Sequence, residues 1–445
     1  FQICWLRALL TLFAMFIRSR KTLIPGGLTV PVPVHGMWDG GLTTLWYPMI
    51  LPPRYEMLTY CPKLKAQIIV RLDFPLPVSD SVQMENFYAR IFDLACKGWG
   101  KTHPNPMVGA MIVEDDEVVA EGYHECAGSP HAEVIAFSNL GRTPREGAFI
   151  LVSLEPCSTF GRTPPCTNAI IQSGIKKVLV CCLDPNPEHS GRGLEILKNH
   201  GIEVTLASES VQARFTRLNL IFNHQIKSGT PLVALKIAET SNGMVAEKAG
   251  YPSPITEADA RIDMMNWRRL FPAICVGAGT VLADNPSLTA RIGRETWCPV
   301  RLVVDSRLST LAPGVSPRKL YSDQFTDHTF ILTTTSLTDG QRIQRAEELG
   351  VKLVEVAADK DGRMLPTSLR TVLNKLELNS VYCEGGPSLA QSLLVADEID
   401  YLFRYRSPKF FDSPDALAAP DLDQYELRDP VQTILGEDRL THGFL

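Results

Sequence analysis

Four residues constrain this chain more than any others. His131 and Glu133 stand in Pro130-His131-Ala132-Glu133, and Cys157 and Cys166 follow Glu155-Pro156 with eight residues between the two cysteines. One imidazole and two thiolates make a donor set suited to tetrahedral zinc, with the fourth position left open. Any fold that uses them must bring three separate points of the chain to one centre. The local patterns allow it. His131 opens an apolar periodic stretch, Val134, Ile135, Phe137 and Leu140, that ends at Gly141, so a helix is predicted over 131–140. Cys157 follows the strand-like run 149–154, and Cys166 opens a second helix before Gly174. A helix N-terminus favours thiolate over thiol, which prepares the ligand. A lone buried His or Cys is usually core, and eleven cysteines will give chance pairs. Here the order, the proline before each ligand segment and the placement on elements agree.

Glu133 is two residues from the histidine and cannot easily reach the same ion. It is placed to carry a proton between a water and a substrate. This arrangement is similar to the zinc deaminases, in which the glutamate is the acid/base and the metal lowers a water pKa towards about 7.

At 445 residues, 45% hydrophobic and 21% charged, the chain has room for two or three domains of an ordinary globular protein. Residues 1–83 hold eight Lys and Arg against four Asp and Glu, which leaves a balance of −9 on the remainder. A body that acidic gains nothing from counterion release on a phosphate backbone, so nucleic acid is not expected as the main partner. The cysteines form no secreted framework, and a reducing cytosol fits them.

The first 83 residues differ from the rest. The apolar run 9–16 is too short for a membrane span, and its flanking charges do not follow a signal peptide; no membrane association is expected. From 25 to 77 the chain is rich in Pro and Gly without sustained period. We expect an atypical, poorly ordered extension with Met84 as the natural start, or else an organelle-targeting segment.

From Met84 onward, helix and strand patterns alternate, which predicts layered α/β domains. A helix is expected at 85–97, then a hairpin with the four-residue turn 114–117, then helix 131–140, strand 148–154, helix 166–173, strand 177–183, helix 192–200 and strand 202–207. A single helix is expected at about 208–227, and Gly229 and Pro231 mark a boundary, giving domains 84–229 and 230–445. In the second domain, strands are expected at 232–239, 273–277, 300–305, 328–333, 351–356, 379–384 and 398–405, with helices at 256–270, 340–349, 367–377 and 387–395. Two glycine turns follow strands, Val276 to Thr280 and Glu384-Gly385-Gly386-Pro387; such turns suit a nucleotide pyrophosphate but are often structural.

Taken together, Thr102-His103-Pro104-Asn105-Pro106-x-Val108-Gly109, His131-Ala132-Glu133 and Leu154-Glu155-Pro156-Cys157-Ser158-x-x-Gly161-Arg162-Thr163-Pro164-Pro165-Cys166 closely resemble the deaminase half of the bifunctional riboflavin-biosynthesis deaminase–reductases. Asp184-Pro185-Asn186-Pro187 and Gly191-Arg192-Gly193 match too. The run Gly277-x-Gly279-Thr280-Val281-x-x-Asp284-Asn285-Pro286-x-Leu288-Thr289-x-Arg291, with Arg301-x-Val303-x-Asp305-Ser306 and Glu384-Gly385-Gly386-Pro387-x-Leu389, is similar to the reductase half. The resemblance covers about residues 84–410, and the eight-residue cysteine gap is that family's own.

The resemblance implies a cytidine-deaminase-like three-layer domain followed by a dihydrofolate-reductase-like α/β domain. It implies a cytoplasmic homo-oligomer that uses one zinc and NADPH on a small phosphorylated pyrimidine. His131, Cys157 and Cys166 would hold zinc, Glu133 would be catalytic, and Asn105 would line the pocket. In the reductase it puts Ala238, Thr280, Asp284, Gly386, Pro387, Ser388, Leu389, Ala390, Gln391 and Ser392 at NADPH, and Arg268, Leu288, Arg291 and Glu384 at the substrate. The chain departs from the family pattern at Asn242, Pro252 and Pro254, the last replacing a tryptophan, and at Thr159-Phe160. A deaminase with a non-reducing second domain, a nucleoside or tRNA deaminase and a non-catalytic zinc module are the competing readings.

Overall fold

The computed structural model describes backbone at 28–38, 41–51, 56–61 and 66–71, and the chain from 80 to 445 except 161–163, 188, 315 and 335–339; side chains are described from Gln83 onward. The chain divides into two units, 1–83 and 84–445. In the first, β1 (Leu28–Trp38) pairs with β2 (Gly41–Leu51) and β3 (Glu56–Cys61) with β4 (Ala66–Arg71), both antiparallel. The rest of the expected extension lies outside the described residues.

The second unit begins within α1 (Asp80–Cys96), whose Phe87, Ile91, Leu94 and Ala95 are buried, as the periodic apolar face requires. The hairpin of β5 (Gly109–Glu114) and β6 (Glu117–Tyr123) follows. Its turn has two residues, not the expected four: Asp115 and Asp116 both take positive φ, 49° and 64°, the twist that closes a tight hairpin, which aspartate tolerates. Then come α2 (Ala132–Leu140), β7 (Phe149–Val152), α3 (Cys166–Ser173), β8 (Lys177–Val180), α4 (Arg192–Asn199) and β9 (Glu203–Leu206). The five strands form a sheet in the order β6-β5-β7-β8-β9, antiparallel at the hairpin end and parallel from β7 to β9.

The expected long helix at 208–227 is two helices, α5 (Glu209–Leu218) and α6 (Leu220–Ser228). Asn219 breaks it. The Asn219 side chain accepts from the Met107 N–H at 2.7 Å and donates to the Met107 carbonyl at 3.0 Å, so a contact distant in sequence overrides helical continuity.

Next come β10 (Leu232–Glu239), β11 (Met244–Ala246), α7 (Ala258–Leu270), β12 (Ala273–Gly277), α8 (Ala278–Asp284), β13 (Ala290–Ile292), β14 (Glu295–Trp297), β15 (Val300–Val304), β16 (Thr329–Thr334), α9 (Gly340–Leu349), β17 (Lys352–Val356), α10 (Ser368–Lys375), β18 (Ser380–Cys383), α11 (Pro387–Val395), β19 (Tyr401–Arg406), β20 (Leu417–Ala418), β21 (Arg428–Leu435) and β22 (Asp438–Phe444). A nine-stranded sheet runs β17-β16-β15-β12-β18-β10-β19-β22-β21. The strands from β17 to β19 pair in parallel, and β22 and β21 add antiparallel. β12 and β18 are buried almost throughout, as expected of strands covered on both faces. The glycine turn at 276–280 opens a short helix, α8.

The loop after α1 ties the two sheets together. Trp99 Nε1 donates to the Asn266 carbonyl at 2.8 Å, Arg269 Nη1 to the Gly100 carbonyl at 2.7 Å, and His103 Nε2 to the Leu270 carbonyl at 2.6 Å. Asn379 Nδ2 lies 3.3 Å from His103 Nδ1. Gly100 has φ +64°, and a Cβ there would lie 1.8 Å from the Arg269 carbonyl oxygen, so only glycine fits.

Candidate active sites

The candidate metal ligands reach one point because two helices start there. His131 caps α2 in an extended conformation, and Pro165 caps α3 so that Cys166 is its first residue. α2 lies hard against β6: a Cβ on Gly122 would sit 2.3 Å from the Ala132 carbonyl, so the glycine allows the approach. Cys157 lies beyond the end of β7.

The donor atoms of His131, Cys157 and Cys166 lie within 4.8 Å of one another. His131 Nδ1 is 3.2 Å from Cys166 Sγ and 3.5 Å from Cys157 Sγ. Zinc bonds of about 2.0 Å to nitrogen and 2.3 Å to sulfur in a tetrahedron place ligand atoms roughly 3.5–3.8 Å apart, so the set fits zinc. The Cys166 thiol and then His131 stabilise the Cys157 thiolate, lowering its pKa to about 4, while the same contact to Cys157 and burial push Cys166 up. A divalent cation there would draw off the remaining proton.

Glu133 is buried in the first turn of α2, and burial raises its carboxyl pKa. Its carboxyl touches its own backbone N–H and the Cys166 thiol, beside the metal position and not in the donor set. Asn105 Nδ2 lies 3.1 Å from His124 Nε2, and the His124 ring meets that of His131 edge-on with centroids 5.8 Å apart.

Sequence reading quoted Glu155 in the cysteine motif but gave it no role. It is buried and accepts from Asp184 N at 3.1 Å, Gly191 N at 2.9 Å and Gly193 N at 2.8 Å, fixing the loop 184–193 against the segment that ends in Cys157. Its place before Pro156-Cys157 was its signal. Gly161, Arg162 and Thr163 lie outside the described residues.

In the second sheet, Arg268 in the last turn of α7 forms a two-pronged pair with Glu384, just past β18; Nη2 to Oε2 is 2.8 Å, and Nη1 donates to the Thr289 carbonyl at 3.1 Å. Lys236 of β10, which sequence reading also missed, puts Nζ 3.8 Å from Glu384 Oε2. A lysine inside the apolar run of a buried strand was its signal. Burial lowers the Lys236 pKa against the pull of Glu384. Burial alone would raise Glu384, but Arg268 and then Lys236 outweigh it and hold the carboxyl below the usual range.

The two glycine turns meet. Thr280 of α8 stands beside Gly386, where a Cβ would lie 3.1 Å from Thr280 Oγ1. Gly386 caps α11 and Pro387 opens it; the Ala390 N–H returns to the Gly386 carbonyl, while the N–H groups of Ser388 and Leu389 have no partner among the described residues. The Ala390 side chain is fully buried, Gln391 is exposed, and Ser392 Oγ donates to the Leu389 carbonyl at 2.9 Å. Of the expected run, the start of the helix is therefore what can face an anion. Asp284 ends α8 within electrostatic reach of Lys236. Ala238 is half-buried on β10. Leu288 is buried with φ +53°, and the exposed Arg291 reaches Ser287 Oγ at 3.2 Å.

At the departures, Asn242 accepts from Thr240 Oγ1 at 2.7 Å and donates to the Phe411 carbonyl at 2.9 Å, and the Pro254 carbonyl accepts from Lys409 Nζ at 2.9 Å. Pro252 is exposed.

Residues 81–182 match the family model for the cytidine and deoxycytidylate deaminase zinc-binding region, and residues 231–426 match that for the RibD C-terminal domain. The riboflavin biosynthesis protein RibD of Aquifex aeolicus is 39% identical over 325 residues, covering 73% of this chain and 87% of that one. The Escherichia coli protein of the same name is 37% identical over 347 residues, covering 75% and 89%. The solved diaminohydroxyphosphoribosylaminopyrimidine deaminase/5-amino-6-(5-phosphoribosylamino)uracil reductase of Thermotoga maritima superposes with a TM-score of 0.66 at 32% identity, covering 81% of this chain and 98% of that one. With both centres, both domain matches and relatives that align over most of their length, the chain belongs to the RibD family of bifunctional riboflavin-biosynthesis deaminase–reductases.

Proposed function

We propose that residues 84–229 deaminate 2,5-diamino-6-(5-phosphoribosylamino)pyrimidin-4-one and that residues 230–445 reduce its ribosyl arm to ribityl with NADPH. The observation that carries this reading is the convergence of His131, Cys157 and Cys166 within 4.8 Å, with buried Glu133 beside them. When bound, zinc supplies an acidified attacking water. Glu133, its pKa raised by burial, takes up a proton at its carboxylate and hands it to the departing ammonia. Asn105 lines the pyrimidine pocket.

In the reductase, NADPH supplies hydride. Ala238, Thr280, Asp284 and the 386–392 turn form its site, with the free N–H groups of Ser388 and Leu389 suited to its pyrophosphate. Lys236 and Arg268, held by Glu384, present charge to the sugar, and Arg291 with Leu288 frames the phosphorylated arm. Pro252 and Pro254 favour a second reading, a deaminase whose second domain does not reduce, because proline lacks the ring area that the family's tryptophan offers a cofactor.

The free cysteines among the described residues suit a reducing cytoplasm. β21 is the outer strand of its sheet, with most side chains exposed, and we assign it to pairing with a second copy. No helix among the described residues is long and apolar enough to cross a membrane. The test is one assay with two readouts. Ammonia release followed by loss of NADPH absorbance supports both halves; ammonia alone selects the second reading; neither refutes the assignment.

A further inference from the structure

We infer that His124 is a positioning residue that locks the Asn105 amide with its oxygen towards the substrate; this deepens the deaminase reading and rests on it. His124 is buried just past β6, and its two nitrogens meet partners that settle which carries hydrogen. Nδ1 lies 3.2 Å from the Pro130 carbonyl, which can only accept. Ser129 Oγ, 3.4 Å from Nδ1, spends its hydrogen on the Cys126 carbonyl at 2.7 Å and so also faces Nδ1 as an acceptor. Nδ1 therefore carries the hydrogen, and Nε2 is left to accept.

The group 3.1 Å from Nε2 must then be the NH₂ end of the Asn105 amide. That leaves Asn105 Oδ1, on a half-buried residue, with no protein partner among the described residues. A fixed carbonyl oxygen, one ring removed from His131, selects a ligand that offers N–H, as an aminopyrimidine does, and rejects one that offers only acceptors. Without His124 the amide turns freely, and half of its orientations present NH₂ to a donor.

The test uses the zinc-loaded full chain with the aminopyrimidine substrate, reading KM, kcat and zinc per chain for His124→Phe, Asn105→Ala and the double variant. Phenylalanine keeps the edge-on ring beside His131 and removes both nitrogens. Each single change should raise KM about tenfold with kcat within about twofold. The double variant should be no worse than Asn105→Ala, and His124→Gln, which again offers an acceptor and a donor, should recover part of the loss. A double variant whose KM multiplies to about a hundredfold would overturn the lock. So would an unchanged KM, or loss of zinc from His124→Phe, which would make His124 a support for His131 alone. A second arm does not depend on activity: ¹⁵N NMR of His124 should show hydrogen on Nδ1, and hydrogen on Nε2 would overturn the lock. A wild type with the Nδ1 tautomer and no ammonia release would mark failure of the deaminase reading, seen separately.

Discussion

The proposed deaminase centre draws His131, Glu133, Cys157 and Cys166 from one short stretch, at two helix starts and beyond one strand end. The proposed reductase centre gathers Lys236, Arg268 and Glu384 from β10, α7 and the end of β18, far apart in sequence. The first is a donor set of one imidazole and two sulfurs that suits a cation. The second carries its own counter-charge, since Glu384 sits between two cations. The difference teaches where charge must come from outside and where the fold supplies its own. It also separates what each site tolerates: removing a proton carrier leaves the metal centre standing, whereas removing one member of a buried charge group strands the others.

Glu133→Gln should break the comparison on one side only. Ammonia release should fall by about 10²–10⁴-fold with zinc retained, and NADPH consumption on pre-deaminated substrate should not change. Full ammonia release by that variant would point to other chemistry. On the other side, Glu384→Gln should lower reductase kcat/KM about a hundredfold, because Arg268 and Lys236 lose their shared counter-charge, while ammonia release holds.

Two smaller effects probe the scaffold that separates the sites. Gly100→Ala forces a Cβ into the Arg269 carbonyl and should lower the melting midpoint by a few degrees, at a cost of about 1–3 kcal/mol. Smallest is a pH effect at His442, whose pKa burial lowers to about 4. An unfolded histidine titrates near about 6.5, so between these values the unfolded chain binds more protons. The stability that neutral His442 contributes is complete above about 6.5 and lost as pH falls towards 4. His442→Phe should flatten the fall in unfolding midpoint across that window; an unchanged slope would assign it to other groups.

Much of this was legible because it is local. The helix over 132–140 follows from the period of Val134, Ile135 and Phe137 and the stop at Gly141, and the buried strand 273–277 from an unbroken apolar run. What escaped was long-range. Nothing near Asn219 reveals that Met107 will take its side chain and end α5. The role of Lys236 depends on Glu384, more than a hundred residues away. The C-terminal hairpin of β21 and β22 was also missed, since β21 is exposed on both faces and shows no alternation.

Zinc removal tests the central claim most directly. Chelation of the purified chain, with zinc counted per polypeptide and both reactions assayed, should abolish ammonia release, leave reduction of the deaminated intermediate intact, and be reversed by one equivalent of zinc. Ammonia release that survives complete loss of metal, or two activities that fall and return together, would contradict it.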